Sequence, residues 1–201
     1  MELIVTNESH VKYAEDICKT IEDSAKVRGT GIAKRTPEYI TEKIIKGNGV
    51  IALEDGKFAG FCYIEAWQNK KFVANSGLIV HPDFRGRGLA KQIKQKILNY
   101  SLEKFPESKV FGITTGLAVM KINYELGYQP VTFSELTDDD AFWKGCQACK
   151  NYDILVRNER KMCLCTGMLY QRKVETKKSL SALEKIKQIT ASLKLKSLKN
   201  K

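Results

Sequence analysis

Residues 80–90 have the composition and spacing of a phosphate-binding segment. They read Val-His-Pro-Asp-Phe-Arg-Gly-Arg-Gly-Leu-Ala, which predicts the end of a strand, a proline corner and a glycine loop that opens a helix. The first N–H groups of a helix have no partner within it, and the helix dipole favours an anion there. Gly86 and Gly88 let the backbone approach a bulky diphosphate without an intervening Cβ. The segment therefore predicts a phosphate cradle.

Two known nucleotide-binding motifs also consist of a glycine loop between a strand and a helix, but the sequence of this loop matches neither of them. A dinucleotide fold needs Gly-x-Gly-x-x-Gly with an acid about 20 residues on, and a nucleotide triphosphatase needs Gly-x-x-x-x-Gly-Lys-Ser/Thr. The segment instead resembles the acyl-CoA signature of the Gcn5-related N-acetyltransferases (GNAT), Arg/Gln-x-x-Gly-x-Gly/Ala after a strand ending in Val-x-Pro. Its matching residues are Val80, Pro82, Arg85, Gly88 and Ala90. From these residues alone, an ordinary surface turn that caps a helix remains the alternative.

The resemblance implies both a fold and a donor. The fold is α/β (α+β): a mixed, mostly antiparallel sheet with a splayed central strand pair and helices on both faces. The donor is acetyl-CoA or another acyl-CoA, whose pantetheine arm lies in the gap between the splayed strands and mimics a neighbouring strand. The residues expected to bind it are Leu78, Ile79, Val80, Arg85, Gly86, Arg87, Gly88, Leu89 and Ala90.

Apolar periodicity predicts ten elements in the order β-α-α-β-β-β-α-β-α-β. The predicted strands are 2–6, 50–54, 57–67, 71–81, 110–115 and 128–133. The predicted helices are 10–27, 37–46, a helix from 89 to before Pro106, and 117–126. Asp55-Gly56 predicts a tight hairpin between the second and third strands. This order agrees with the fold that the resemblance implies.

The second motif of the resemblance leaves the general acid open. Residues 123–131 read Asn-Tyr-Glu-Leu-Gly-Tyr-Gln-Pro-Val, and the family's usual tyrosine falls on Asn123, with Tyr124 one position later. One position on a helix is about 100° of rotation, so Tyr124 need not face the sulfur. An asparagine can hydrogen-bond to a thiolate or a water but cannot supply a proton as a phenol does. Asn123 and Tyr124 are both candidates for this part of the site.

The general base is also not where the family places it. Many relatives carry a glutamate early in the strand before Val-x-Pro, but Ala74, Asn75 and Ser76 stand there. Glu65, on the adjoining strand, is the first substitute; a solvated strand carboxylate is the other interpretation. By resemblance, the backbone N–H of Val80 is the oxyanion donor.

A weaker resemblance points to the acceptor. Thr114-Thr115 and the ending Gly-Tyr-x-Pro-Val at 127–131 are similar to the acyltransfer domain of bacterial glutamate N-acetyltransferases. This implies direct transfer to the primary amine of a small molecule, an amino acid such as glutamate. A protein lysine or N-terminus is the second acceptor class, and a domain that holds CoA without turnover is a third interpretation. Lys34 and Arg35, between the first two helices, could hold a carboxylate or face water.

Four of the six cysteines lie in two close pairs. Cys146 and Cys149 are separated by 13 residues from Cys163 and Cys165, within a segment of about 138–165 that matches neither acyltransferase motif. Two such pairs predict a tetrahedral Zn²⁺ site that stabilises the insert. Disulfides and free thiols are the alternatives.

Charge separates the chain into an acyltransferase domain, residues 1–171, and a basic tail, residues 172–201. The net charge is +11, and the tail holds ten Lys and Arg against two Glu. Its apolar residues recur at helical spacing, which predicts an amphipathic helix docked on the domain or on a second copy in a homodimer. Nucleic-acid binding by a zinc-stabilised module and a disordered end are the alternatives. With no secretory signal or apolar span, the expected location is the cytoplasm, away from membranes.

Overall fold

The computed structural model describes residues 1–28 and 33–172, in which one mixed sheet is the central feature. Its seven strands lie in the order β1-β2-β3-β4-β5-β7-β6. The strands are β1 Glu2–Val5, β2 Gly49–Glu54, β3 Lys57–Trp67, β4 Phe72–Val80, β5 Lys109–Thr114, β6 Tyr128–Val131 and β7 Thr166–Tyr170. The six α-helices of the described residues are α1 Ala14–Arg28, α2 Pro37–Ile45, α3 Leu89–Lys104, α4 Leu117–Glu125, α5 Asp140–Lys144 and α6 Tyr152–Arg157. The predicted fold class is confirmed.

The helices form layers on both faces of the sheet. One face buries Val50, Cys62, Val73 and Val110 against α3, through Ile93 and Ile97. The opposite face of the sheet packs against α1 and α2. The helices contribute Ile17, Ile21, Ile40 and Ile44, and the strands contribute Ile51, Phe61 and Tyr63. A further cluster packs Phe142 and Trp143 of α5 and Leu155 of α6 against the sheet. The insert is therefore part of the folded domain.

The sheet opens between its two central strands. The parallel pairing of β4 with β5 has three rungs, Phe72 with Lys109, Val73 with Val110 and Ala74 with Phe111. From Asn75 on β4 and Gly112 on β5 onwards the two strands are not paired with each other, and we call the space between them the wedge. The predicted splayed pair is confirmed.

Two details differ from the predicted elements. The first helix does not begin at His10, because residues Glu8–Tyr13 form a 3₁₀ helix capped by Asn7, and α1 starts at Ala14. The last strand, β7, lies between β5 and β6 and pairs antiparallel with both. The chain therefore leaves the sheet edge at β6, forms the insert, and returns to the interior of the sheet.

Several predictions lie outside the described residues. The amphipathic helix predicted for the basic tail falls on residues 173–201, and part of the loop before Lys34 falls on residues 29–32. Both stay predictions, as do the homodimer and the division of the chain at 171/172. Within the described residues, no helix is both long and apolar enough to cross a bilayer.

Candidate active site

The loop between β4 and α3 forms an open, positively polarised cradle. Gly86 and Gly88 have φ of +77° and +72°, and a Cβ on either would meet no atom within 4 Å. Gly88 is the N-cap of α3 and supplies no side-chain cap. In residues 1–28 and 33–172, the N–H groups of residues 86–90 have no hydrogen-bond partner. Unpartnered amides at the start of a sixteen-residue helix suit a diphosphate.

The two arginines of the loop do different things. Arg85 folds back, with Nε donating to the Val80 carbonyl at 3.1 Å and Nη2 to Ser24 Oγ of α1 at 3.0 Å. Arg87 lies at the surface and pairs with Glu54 at 3.3 Å. Arg85 therefore fixes the loop against the end of β4 and α1, which leaves the backbone N–H groups of the loop available to an anion.

The end of β4 presents backbone groups to the wedge. The N–H of His81 donates to the Ala59 carbonyl of β3 at 2.9 Å. Because successive strand residues direct their N–H groups to opposite edges, the N–H of Val80 faces the wedge. A bulge in the β3–β4 pairing lies beside Gly77, whose φ is +65°. This edge of β4 is therefore suited to the predicted hydrogen bonds with the pantetheine arm. Ile79 is the exception among the three predicted residues 78–80, because it pairs with Phe61 and directs its backbone polar groups to β3.

A buried polar network fills the closed end of the wedge on the α3 side. Asn75 Nδ2 donates to Ser101 Oγ at 2.8 Å, and Asn75 Oδ1 accepts from the Tyr128 hydroxyl at 2.9 Å. Lys94 of α3 places Nζ at 3.5 Å from the same Oδ1 and 4.8 Å from the centre of the Tyr128 ring. Burial lowers the pKa of Lys94 to about 8. Sequence reasoning missed Lys94, because a lysine next to Ile93 in an amphipathic helix is expected on the solvent-exposed side.

The two α4 candidates are placed very differently. Asn123 is 2% exposed and packs towards β7, with Nδ2 at 3.6 Å from Met168 Sδ. Tyr124 is 63% exposed. The structure therefore places Asn123 at the buried side of the sheet and leaves Tyr124 in solvent, since one helical position separates the two directions. The role of Tyr124 as an acid stays a prediction.

The face of the sheet opposite α3 carries a cluster of charged and aromatic side chains next to α2, which we call the acceptor face. Glu65 accepts a hydrogen bond from the Tyr39 hydroxyl and lies 3.7 Å from Lys43 Nζ. Its side chain is 11% exposed, which excludes the solvated strand carboxylate considered from sequence. Beside it, Arg35 Nε donates to the Tyr63 hydroxyl at 2.6 Å, and burial raises the pKa of Tyr63 to about 12. Sequence reasoning had identified Glu65 and Arg35, but not Tyr39, whose hydroxyl holds Glu65.

Comparison with known proteins decides the family. A family model described as the acetyltransferase (GNAT) family matches residues 19–116, which include α2, the wedge strands, the cradle and α3. The chain carries a GNAT acetyltransferase domain. It is therefore an acyltransferase, and its donor is an acyl-CoA. A search of curated proteins by sequence finds no significant match.

Solved structures share the GNAT fold at low sequence identity. N-acetylglutamate synthase from Neisseria gonorrhoeae, complexed with coenzyme A and N-acetyl-glutamate, superposes with a TM-score of 0.61 at 16% identity over 85% of this chain. The match spans only 35% of that synthase. A Mycobacterium tuberculosis protein in complex with CoA gives a TM-score of 0.62 at 14% identity, covering 86% of this chain and 99% of its own. A GNAT acetyltransferase from Streptococcus agalactiae gives 0.57 at 12%, covering 86% and 96%.

The cysteine pairs of this GNAT chain lie together in the insert. Asn151 connects them, because its N–H donates to Cys149 Sγ at 3.4 Å and its carbonyl accepts from Cys163 Sγ at 3.7 Å. Burial, reinforced by the neighbouring thiols, raises the pKa of Cys146 to about 11 and of Cys165 to about 12. All four are free cysteines. Within the described residues no group of three or more His, Cys, Asp or Glu forms a preassembled metal site, so zinc at these cysteines stays a prediction.

Metal analysis tests that prediction. Protein purified without chelator is expected to carry about one Zn²⁺ per chain, because four cysteine thiolates are one of the usual ligand sets of structural zinc. A mercurial reagent that displaces thiolate ligands should release it. The double variant Cys146→Ser/Cys149→Ser should lose the metal, whereas Cys62→Ser, at a buried thiol of the sheet, should keep it. Metal-free, folded wild-type protein with four titratable thiols in the insert would refute the zinc site.

Proposed function

We propose that the chain transfers an acetyl group from acetyl-CoA to the primary amine of a small metabolite that carries a carboxylate, with glutamate as the first candidate. The observation that supports this most is Arg35. Its guanidinium donates to the Tyr63 hydroxyl and to the Lys34 carbonyl, but in residues 1–28 and 33–172 no carboxylate forms an ion pair with it. Glu65 acts on this guanidinium through its charge, but it does not reach ion-pair distance. An arginine that no carboxylate contacts suits a ligand carboxylate, which it can bind with two parallel hydrogen bonds.

Arg35 lies close to where the acetyl group is expected. A Cβ built on Gly77 would lie 2.3 Å from Tyr63 Cε1, so the Tyr63 ring rests directly on the bulge of β4. The hydroxyl at the far end of that ring receives Arg35. One ring therefore separates the guanidinium from the edge of the wedge, a spacing suited to an acceptor whose amine and carboxylate are a few bonds apart.

The neighbours found by comparison support the same acceptor class. The Neisseria enzyme is a synthase of N-acetylglutamate by name and was solved with that product and coenzyme A. The likeness covers about a third of the synthase and shows the fold alone, so the acceptor of this chain rests on Arg35 and its surroundings. The sequence similarity at residues 127–131 agrees with it.

The chain's residues would divide the chemistry between the two faces. The unpartnered amides of residues 86–90 hold the diphosphate, and the N–H of Val80 stabilises charge that develops on the thioester oxygen. Glu65 takes the proton that the acceptor nitrogen loses as its bond to carbon forms. Tyr39 and Lys43 hold Glu65 in place on the acceptor face. The acetyl-CoA supplies the activated acyl group, and the acceptor attacks it without a covalent acyl-enzyme.

An acceptor screen tests this function, with Arg35 as its probe. Thiol release from acetyl-CoA should be fastest with L-amino acids, and clearly slower with their carboxamides. Arg35→Gln should raise the KM for the best acceptor at least about tenfold, which corresponds to about 1.4 kcal/mol of lost binding. The KM for acetyl-CoA should stay the same.

Lys34→Gln is the matched control, because it removes the same charge from an exposed neighbour. Its KM values should equal those of the wild type. Turnover with lysine peptides or protein N-termini, and none with any amino acid, would contradict the proposed acceptor and favour a protein acetyltransferase.

A further inference from the structure

The ammonium of Lys94 occupies the closed end of the wedge. Its Nζ lies 3.5 Å from Asn75 Oδ1, and a Cβ built on Gly112 would be 3.8 Å from it. Asn75 and Gly112 are the first residues of β4 and β5 beyond their last paired rung. Lys94 is 2% exposed, so its amine reaches the wedge from within the protein.

In the part of the chain that the structure describes, the fold compensates the burial of this amine only through the face of the Tyr128 ring, at 4.8 Å, and the contact with Asn75. Within the described residues, no carboxylate forms an ion pair with Lys94, and the titratable groups that face it are Cys62 of β3 and Tyr128 of β6. Its contact with Asn75 is long, and that oxygen already accepts from Tyr128. A buried ammonium without a counter-charge is strongly destabilising. The missing negative charge would be supplied by a ligand in the wedge.

A second buried polar group, close to Gly112 of β5, also lacks a hydrogen-bond partner within the described residues. Asn123 Oδ1 is buried and has no hydrogen-bond partner within residues 1–28 and 33–172, while its Nδ2 contacts Met168 Sδ. Met168 is the rung partner of Gly112. The ammonium of Lys94, a donor, and Oδ1 of Asn123, an acceptor, therefore both lie near the pair formed by Gly112 and Met168, at the edge of the wedge.

We propose that Lys94 is the general acid of this acyltransferase, giving its proton to the sulfur of CoA as the thioester breaks. This rests on the proposed function. The acceptor nitrogen bonds to the acyl carbon, the C–S bond breaks, and its electron pair stays on sulfur. Lys94 protonates that sulfur, Glu65 holds the proton lost by the nitrogen, and Asn123 Oδ1 accepts a hydrogen bond from the new S–H. Lys94 regains a proton from water after CoA leaves.

The proton affinity of Lys94 suits this step. Burial lowers its pKa to about 8, close to that of an ordinary thiol at about 8.5. The amine is therefore mostly protonated at neutral pH, yet it releases its proton to a thiolate at little cost. Efficient acids have a proton affinity near that of the group they serve.

The test measures the thiol of bound CoA directly, without an acceptor. The full chain is saturated with CoA, and thiolate absorbance is titrated with pH against the complex with desulfo-CoA, which cancels the protein's own cysteines. In the wild type the ammonium should lower the pKa of the bound thiol by about one or more, as a nearby opposite charge does. In Lys94→Met this shift should disappear. The control Lys96→Met, on the exposed side of the same helix, should keep it.

Calorimetry and kinetics complete the test. CoA should bind Lys94→Met within about threefold of the wild type, since the protonated thiol needs no counter-charge. Acetyl transfer should fall about 100-fold, the usual contribution of a general acid. CoA binding with the same thiol titration in wild type and variant would overturn the role of Lys94 alone. No CoA binding by folded wild-type protein would overturn the proposed function as well.

Discussion

Lys94→Met is expected to make the protein more stable while it makes the enzyme slower. Methionine fills a similar volume in the core between α3 and the sheet and removes a buried charge that has no acid partner in the described residues. The pKa of Lys94 falls from 10.5 to about 8 on folding, which corresponds to an upper limit of about 3 kcal/mol at neutral pH. We expect the free energy of unfolding in urea at pH 7 to rise by roughly 1–3 kcal/mol.

The pH dependence has a definite sign. Since the folded-state pKa of Lys94 is lowered, the unfolded chain binds more protons between about pH 8 and 10.5. The contribution of this group to stability therefore rises as pH rises through that window, and at lower pH the penalty is fully present. In Lys94→Met this rise should be missing, so the variant's advantage should shrink towards pH 10.5.

Lys96→Met serves as the control, because it replaces an exposed lysine of α3 by the same residue. Its unfolding free energy should stay within about 0.5 kcal/mol of the wild type at every pH. If Lys94→Met unfolds more easily than the wild type, the lysine is a structural element of the core, and the conclusion that it lacks a counter-charge is wrong.

Gly77→Ala is expected to damage both the fold and the acceptor face. Gly77 has φ of +65°, and the new Cβ would lie 2.3 Å from Cε1 of Tyr63, which is fully buried. The backbone conformation costs an L-residue about 1–2 kcal/mol, and overpacking adds about 1–3 kcal/mol. We expect a loss of about 3 kcal/mol in urea unfolding and a raised KM for the acceptor, because Tyr63 holds Arg35.

Gly56→Ala isolates the backbone contribution. Gly56 has φ of +75° in the β2–β3 hairpin, and a Cβ there would meet no atom within 4 Å. Its loss should be about 1–2 kcal/mol, with acceptor kinetics unchanged. Equal losses for the two variants would show that the bulge tolerates a methyl group and that Tyr63 is free to move.

Local patterns in the sequence predicted the conformation of the glycine loop before α3 well. The cradle needs glycines with positive φ directly before a helix, and these glycines lie in one continuous segment, Arg85 to Ala90, where a local motif can reveal them. The splayed strands followed from the family resemblance carried by the same segment. Glu65 was identified because it lies on β3, the strand that precedes β4 in the chain and pairs with it.

The rest of the site depends on contacts between distant segments. Lys94 is buried because β4 and β5 separate at Asn75 and Gly112 and leave room for an amine, which helical periodicity cannot show. Arg35 and Tyr63 meet across 28 residues, and Asn75 and Tyr128 across 53. The register of α4 turns Asn123 towards β7 and Tyr124 towards solvent, which the order of the residues in the sequence does not show.

The short pairing of β4 with β5 has a consequence for the molecule as a whole. Strands β1 to β4 and strands β5 to β7 form two half-sheets whose backbones are joined by three rungs. A pantetheine arm that hydrogen-bonds along the unpaired edges would act as an additional strand and make the missing cross-connections. Binding of the donor would then also connect the two half-sheets more firmly. Each release of CoA would leave them joined by the three rungs alone and more free to move against each other.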